Sequence, residues 1–179
     1  MLVVISGPGG VGKGTVVRAL RERYPNIAVS VSATTREPRP GEVDGVSYHF
    51  LSAEEFSDLV AADGFLEWAQ FAGHRYGTPW SSVSQPLSQG QTVVLEIEVQ
   101  GAAQVRQRFA DAVLIFLTPP SREALVQRLR RRGTDDAGRI AQRLAIAEAE
   151  LAQAPTFDHV VVNDTVDGAV GEIGRILGL

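Results

Sequence analysis

GPGGVGKGT, Gly7 to Thr15, follows the apolar run LVVIS, Leu2 to Ser6, at the start of the chain. A short β-branched run that ends at a glycine reads as a buried parallel strand. After the loop, VVRALRERY places apolar residues at Val16, Val17, Ala19, Leu20 and Tyr24, a helical spacing that Pro25 stops. Gly7 to Lys13 therefore satisfies G-x-x-x-x-G-K between a strand and a helix, the context in which that pattern cradles phosphate. Glycines let the backbone curl so that successive N–H groups point at one phosphate, the following helix adds its positive end, and Lys13 supplies a mobile cation. Gly7, Pro8, Gly9, Gly10, Val11, Gly12, Lys13, Gly14 and Thr15 are thus expected to bind ATP with Mg²⁺. The hydroxyl residue that normally follows the lysine is replaced by Gly14, so a magnesium contact falls to Thr15, directly or through water.

The bulk numbers narrow the setting. At 179 residues the chain fits one domain, and 44% hydrophobic with 21% charged residues is ordinary for a globular protein. Cysteine is absent, which suits a reducing compartment and leaves no thiolate metal site. A net charge of -4 argues against a general nucleic-acid binder. No apolar run approaches the roughly 20 residues of a membrane span, and no signal peptide is evident. The expectation is a soluble, cytoplasmic protein without nucleic-acid or membrane partners, a monomer or homodimer.

Along the chain, VSVSATT, SYHF and FLEWAQF read as short strands between Ala28 and Pro79, around the turn-rich EPRPGEVDG and one helix opened by a capping box at Ser52 and Glu55. TVVLEIEV, Thr92 to Val99, then reads as a strand, GAAQVRQRF as a helix and AVLIFLT as another strand. Helices follow to Arg132 and from about Ala137 to Ala154, then the strand HVVVN and a closing helix. Strands alternating with helices imply an α/β fold with a mostly parallel sheet covered on both faces, its ligands gathered beyond the carboxyl ends of the strands. His49, His74 and His159 show no metal-ligand spacing and are expected to pack or face solvent, and Trp68 and Trp80 to be structural.

Two resemblances bear on the substrates. GKGT resembles the phosphate loop of adenylate kinases. TTREPRPGEVDGVSYHF, Thr34 to Phe50, resembles the guanylate kinase family signature T-[ST]-R-x2-[KR]-x2-[DE]-x2-G-x2-Y-x-[FY] at every constrained position, and SVSATTR, FLEWAQF, YGTP and VVVND also look like that family. The second resemblance spans nearly the whole chain. It implies a P-loop NTPase-type three-layer core (about 1–27, 81–125 and 145–179), an inserted small mixed β/α GMP-binding lobe (about 28–80) and a helical lid (about 126–144).

The resemblance also assigns residues. Arg36, Arg39, Tyr48 and Tyr76 match positions that bind the phosphate of GMP, and paired guanidinium forks suit that task. Glu67, with Ser32, Thr78 and Glu98, matches positions at the guanine or ribose. A carboxylate accepts from guanine N1–H and N2–H₂ together, whereas adenine presents a bare acceptor there. Relatives commonly read LDID where this chain has LEIE, so Glu96 is expected near Mg²⁺ on a longer stem. Arg128, Arg132 and Arg143, in RLRRRGTDDAGRIAQRL, match arginines that close over ATP, and Asn163 matches a position bordering its adenine. Cations so placed stabilise a transferring phosphoryl group. The implied reaction moves the γ-phosphoryl of ATP to GMP, and to dGMP, within purine nucleotide metabolism. Two alternatives stay open on sequence grounds: an AMP kinase, and a binding module of the kind that scaffold proteins carry.

Overall fold

Alternate residues of the first strand point to opposite faces, and both directions are apolar and buried. In the computed structural model, which describes residues 1–71, 73–131 and 137–179, β1 (Leu2–Ser6) sends Leu2 and Val4 into one apolar cluster and Val3 and Ile5 into another. That two-residue alternation with no polar side explains why LVVIS is a continuous apolar run. Helix α1 (Lys13–Arg23) follows, then β2 (Ala28–Val29), β3 (Ala33–Thr34), β4 (His49–Phe50) and α2 (Ala53–Ala61). The chain continues through β5 (Phe65–Phe71), β6 (His74–Pro79), α3 (Ser81–Ser88), β7 (Val93–Glu96), α4 (Val99–Arg108) and β8 (Val113–Thr118). It ends with α5 (Arg122–Arg131), α6 (Ala137–Leu151), a 3-10 turn at Ala154–Thr156, β9 (His159–Val162) and α7 (Val166–Leu177).

Five strands form one sheet in the order β2-β7-β1-β8-β9, and all four pairings are parallel. Helices α1 and α7 cover the Val3 and Ile5 face through Val16, Val17, Leu20, Ala169, Val170 and Ile173. Helices α3 and α4 cover the other face through Val83, Ala102 and Val105. This is the three-layer α/β arrangement expected from the alternation of elements. The last helix shows its cause plainly: Val166, Ala169, Val170, Ile173 and Leu177 recur at helical spacing, Thr165 caps the start by accepting from the Gly168 N–H, and Gly178 in the left-handed region closes it.

A second sheet, β4-β3-β6-β5, is mixed: β3 and β4 run parallel, while β6 is antiparallel to both β3 and β5. Helix α2 packs on it through Phe56, which stacks on Phe65 with ring centroids 4.5 Å apart. Its capping box is formed, since Ser52 Oγ accepts from the Glu55 N–H and the Glu55 carboxylate accepts from the Ser52 N–H.

Several boundaries differ from the sequence reading, each for a local reason. The strand expected to reach Val99 leaves the sheet after Glu96, because Glu96 pairs with Ile5 and β1 ends one residue later. Glu98 then takes extended backbone as the N-cap of α4, so Val99 is already helical. AVSVSATT, Ala28 to Thr35, divides between the two sheets, with Ala28 and Val29 pairing to β7 and Ala33 and Thr34 to β6. Helix α3 carries Pro86 inside it and few apolar residues, which hides its periodicity. Among the described residues no helix is long and apolar enough to cross a membrane.

Phe116 is fully buried and meets Phe157 edge-on at 5.1 Å between centroids, which anchors the last strand to the sheet centre. Phe116→Ala should destabilise the fold by about 3–5 kcal/mol, read from chemical denaturation.

Candidate active site

The loop after β1 lies at the carboxyl end of the parallel sheet and opens into a cavity of about 1170 Å³. Gly7 has φ +145°, and a Cβ there would stand 3.2 Å from the Leu117 carbonyl carbon and closer still to its oxygen. Gly12 has φ +100° and is the N-cap of α1 without any side-chain cap, so the first N–H groups of that helix stay directed into the loop. Lys13 is 9% exposed; its Nζ donates to the Gly7 carbonyl at 2.6 Å and meets Glu98 Oε2 at 3.4 Å. Pro8, Gly9, Gly10, Gly12, Lys13 and Gly14 line the cavity, whereas Thr15 is exposed and is not part of the lining.

The far wall belongs to the second sheet and the loop that precedes it. Arg36 sits over Tyr48 at 5.4 Å from the ring centre, and Tyr48 meets Tyr76 edge-on. Both Nη atoms of Arg36 donate to the Glu42 carboxylate at 2.9 Å, and the Arg39 N–H donates to the same carboxylate at 2.7 Å. Hydrogen bonding from Arg36 holds the Glu42 carboxyl below its ordinary range. A bidentate carboxylate is the geometry a phosphate also presents, so the Arg36 fork and the Arg39 N–H can hold an anion on the cavity wall that Arg39, Tyr48 and Tyr76 also line. Burial pushes the Tyr48 phenol up, with the negative charge of Glu96 adding to it, so it remains a neutral hydroxyl.

On the same wall stands Glu67, 4% exposed, on β5. Thr78 Oγ1 donates to Glu67 Oε1 at 2.7 Å, which confirms the pairing of the two residues across β5 and β6. Burial raises the Glu67 carboxyl to about 7, against the opposing effect of the Thr78 hydrogen bonds and with a smaller push from Glu98. Ser32, Glu67 and Glu98 all line the cavity.

Glu96 points along the cavity wall above the phosphate loop, where a Cβ on Gly14 would lie 3.3 Å from both of its carboxylate oxygens. Its carboxyl is raised by burial first, although Lys13 opposes the shift. Its side chain faces the cavity, whose walls desolvate it. The longer acid thus occupies the room that the missing hydroxyl side chain leaves. No group of three or more metal-ligating side chains occurs among the described residues. The Glu96 carboxylate, which lines the cavity beside the phosphate loop, is a hard oxygen donor of the kind Mg²⁺ takes together with phosphate oxygens and water.

The arginine-rich helices divide. Arg143 lines the cavity with Ile146 and Glu150. Arg128 instead donates from Nη1 to the Val11 carbonyl at 3.0 Å and from Nη2 to the Asn163 carbonyl at 2.8 Å, bracing the phosphate loop from behind. Asn163, 4% exposed, donates to the same Val11 carbonyl at 2.8 Å. Arg132 lies outside the described residues. Two groups at the site went unassigned in the sequence. Glu42 fills the acidic position of the Thr34 to Phe50 signature, a signal that was in view. Glu150 accepts from the Gly9 N–H at 3.1 Å across 141 residues of chain, and no local pattern marks it.

Fold and site together define a phosphate-loop protein with a second anion pocket facing the loop across one cavity. The family profile of guanylate kinase matches residues 1–178. The chain is 56% identical over 176 residues to the guanylate kinase of Gloeobacter violaceus, covering 98% of this chain and 86% of that one. It is 58% identical over 166 residues to that of Thermosynechococcus vestitus, covering 93% and 87%. Among solved structures, the guanylate kinase from Anaplasma phagocytophilum superposes with a TM-score of 0.80 at 32% identity, covering 99% of this chain and 84% of that one. The shikimate kinase from Bacteroides thetaiotaomicron, at 14% identity and a TM-score of 0.54, shares the fold, covering 100% and 99%. This chain belongs to the guanylate kinase family.

Folded Glu67 ionises at about 7 and its unfolded counterpart near 4.5, so the unfolded chain releases that proton first as pH rises. The contribution is fully present below about 4.5 and lost as pH passes about 7. Relative to Glu67→Gln, the wild-type chain should therefore lose about 3 kcal/mol of stability across that window, measured by denaturation without nucleotide.

Proposed function

We propose that the chain transfers the γ-phosphoryl group of ATP to GMP, giving ADP and GDP, with the residues assigned as follows. The observation that carries the reading is Glu67: a buried carboxylate with Oε1 held by Thr78, facing a cavity whose opposite wall is the Lys13 loop. Guanine supplies two adjacent donors to such an acceptor, whereas adenine would leave the carboxylate unpaired, and a site built that way discriminates by roughly 10⁴. Ser32 and Glu98 flank the nucleoside. Arg36, Arg39, Tyr48 and Tyr76 receive its phosphate, which displaces the Glu42 carboxylate from Arg36.

On the donor side, loop N–H groups other than that of Val11, which donates to the Pro8 carbonyl, and those at the start of α1 hold the triphosphate. Lys13 neutralises charge that develops on the transferring group, and Arg143 faces it from α6. Arg128 and Asn163 act through the loop they brace, while Arg132 completes the cationic set in this reading. Mg²⁺, held through Glu96 directly or by water, would screen the phosphate oxygens. Thr15, exposed and off the cavity wall, reaches it only through water. The acceptor phosphate is already anionic, so positioning rather than a general base carries the step. In this reading 28–80 is the GMP lobe, 126–144 the lid and the remainder the core. The reaction takes place in the cytoplasm, and the enzyme acts as a monomer or homodimer.

Release of ADP from Mg-ATP, measured with GMP, dGMP, AMP, CMP, UMP and dTMP offered separately, tests the reading. Turnover should be confined to GMP and dGMP, and Lys13→Ala should lower kcat by about 10²-fold or more. Turnover with AMP, or none with any acceptor, would contradict it.

A further inference from the structure

Three residues of α4 fall on one helix face at spacings of three and four: Gly101, Gln104 and Arg108. That face meets β5 on either side of Glu67. Arg108 Nη1 donates to the Phe65 carbonyl at 2.9 Å. Gln104 Nε2 donates to the Trp68 carbonyl at 2.7 Å, and Gln104 Oε1 accepts from the Trp68 N–H at 3.1 Å. The amide side chain thus serves as a strand partner for Trp68. The register of β5 against β6 shifts between Phe65 and Glu67, so the two clamps bracket the irregularity that aims the Glu67 side chain. Gly101 completes the stripe. A Cβ there would stand 2.9 Å from the Glu67 carboxyl carbon and closer still to Oε2, while Oε1 is pinned by Thr78. The same helix begins at Glu98, which contacts Lys13.

We propose that Gly101 and Gln104 are specificity-positioning residues: they seat the Glu67 carboxylate, and α4 thereby fixes the base-reading group relative to the phosphate loop. The inference rests on the proposed function and extends it to residues that touch no substrate. With Thr78 on one oxygen and the Gly101 backbone against the other, Glu67 has one place to stand, so any side chain at 101 moves the carboxylate rather than its surroundings. Binding of ATP, which does not meet Glu67, should be indifferent to that movement.

The test compares Gly101→Ala, Gln104→Leu and the wild type for steady-state kinetics with GMP and AMP, and for calorimetric binding of GMP and of ATP separately. Gly101→Ala should raise KM for GMP by about tenfold or more and narrow the GMP-to-AMP ratio of kcat/KM, with ATP binding unchanged. Gln104→Leu should shift the same quantities in the same direction by a smaller factor. Glu67→Asp, harmful alone, should recover part of the GMP kcat/KM when combined with Gly101→Ala, because the shorter acid vacates the space the new methyl takes. Unchanged KM for GMP in Gly101→Ala, or equal losses for GMP and ATP without rescue, would overturn the inference. Should Gly101→Ala fail to fold, Gln104→Leu decides by the same criteria. A wild type active on GMP with indifferent variants defeats this inference alone; a wild type inert toward GMP defeats the proposed function with it.

Discussion

A loop that presents backbone N–H groups to one phosphate must turn its carbonyls outward, and the rest of this molecule is arranged around meeting that demand. The outward carbonyl of Gly7 is taken by Lys13, and that of Val11 by both Arg128 and Asn163. Each partner comes from a different element: the first helix, the arginine-rich α5, and the end of β9. Gly7 and Gly12 adopt backbone that other residues resist, and Leu117 and Asn163 press close enough to exclude any side chain there. Carbonyls left buried without partners would each cost about 1–3 kcal/mol, so the loop keeps its shape only while the sheet and α5 surround it.

Carboxylates fill the places where the reading puts phosphates. Glu42 sits on the fork of Arg36, and Glu150 on the Gly9 N–H. Burial and the nearby Glu98 charge raise the Glu150 carboxyl, as burial raises those of Glu96 and Glu67. A cavity holding this many desolvated acids around Lys13 favours ligands that bring donors or cations to them. In the proposed reaction guanine would offer the first, and magnesium carried by ATP the second. The walls of the cavity set this electrostatic character, while the sheet places them.

Sequence revealed the parts of this design that depend on neighbours in the chain. The strand, glycine loop and helix at the start, the capping box at Ser52 and Glu55, and the parallel strands of the core are local patterns, and each is in place. The signature from Thr34 to Phe50 brought Arg36, Arg39 and Tyr48 to one pocket with Tyr76. What stayed hidden depends on tertiary contact. The bracing role of Arg128 needs the Val11 carbonyl, 117 residues away, and could not be told from a position over the nucleotide. Two-residue strands such as β3 and β4 have no periodicity to read, and β7 ends where its partner ends rather than where its apolar run does. That Gly14 faces the Glu96 carboxylate depends on a contact across 82 residues of chain, which no local pattern marks.

In the proposed reaction one cavity holds the phosphate donor and a guanine acceptor at once, facing each other between Lys13 and Glu67. Calorimetric titration with adenosine and guanosine joined through a phosphate chain of bridging length tests it most directly. The account predicts one analogue per chain, bound about 10²–10⁴ times more tightly than either nucleotide alone, with a clear loss when a second adenosine replaces the guanosine. An analogue bound no more tightly than its better half, or indifferent to that replacement, would contradict it.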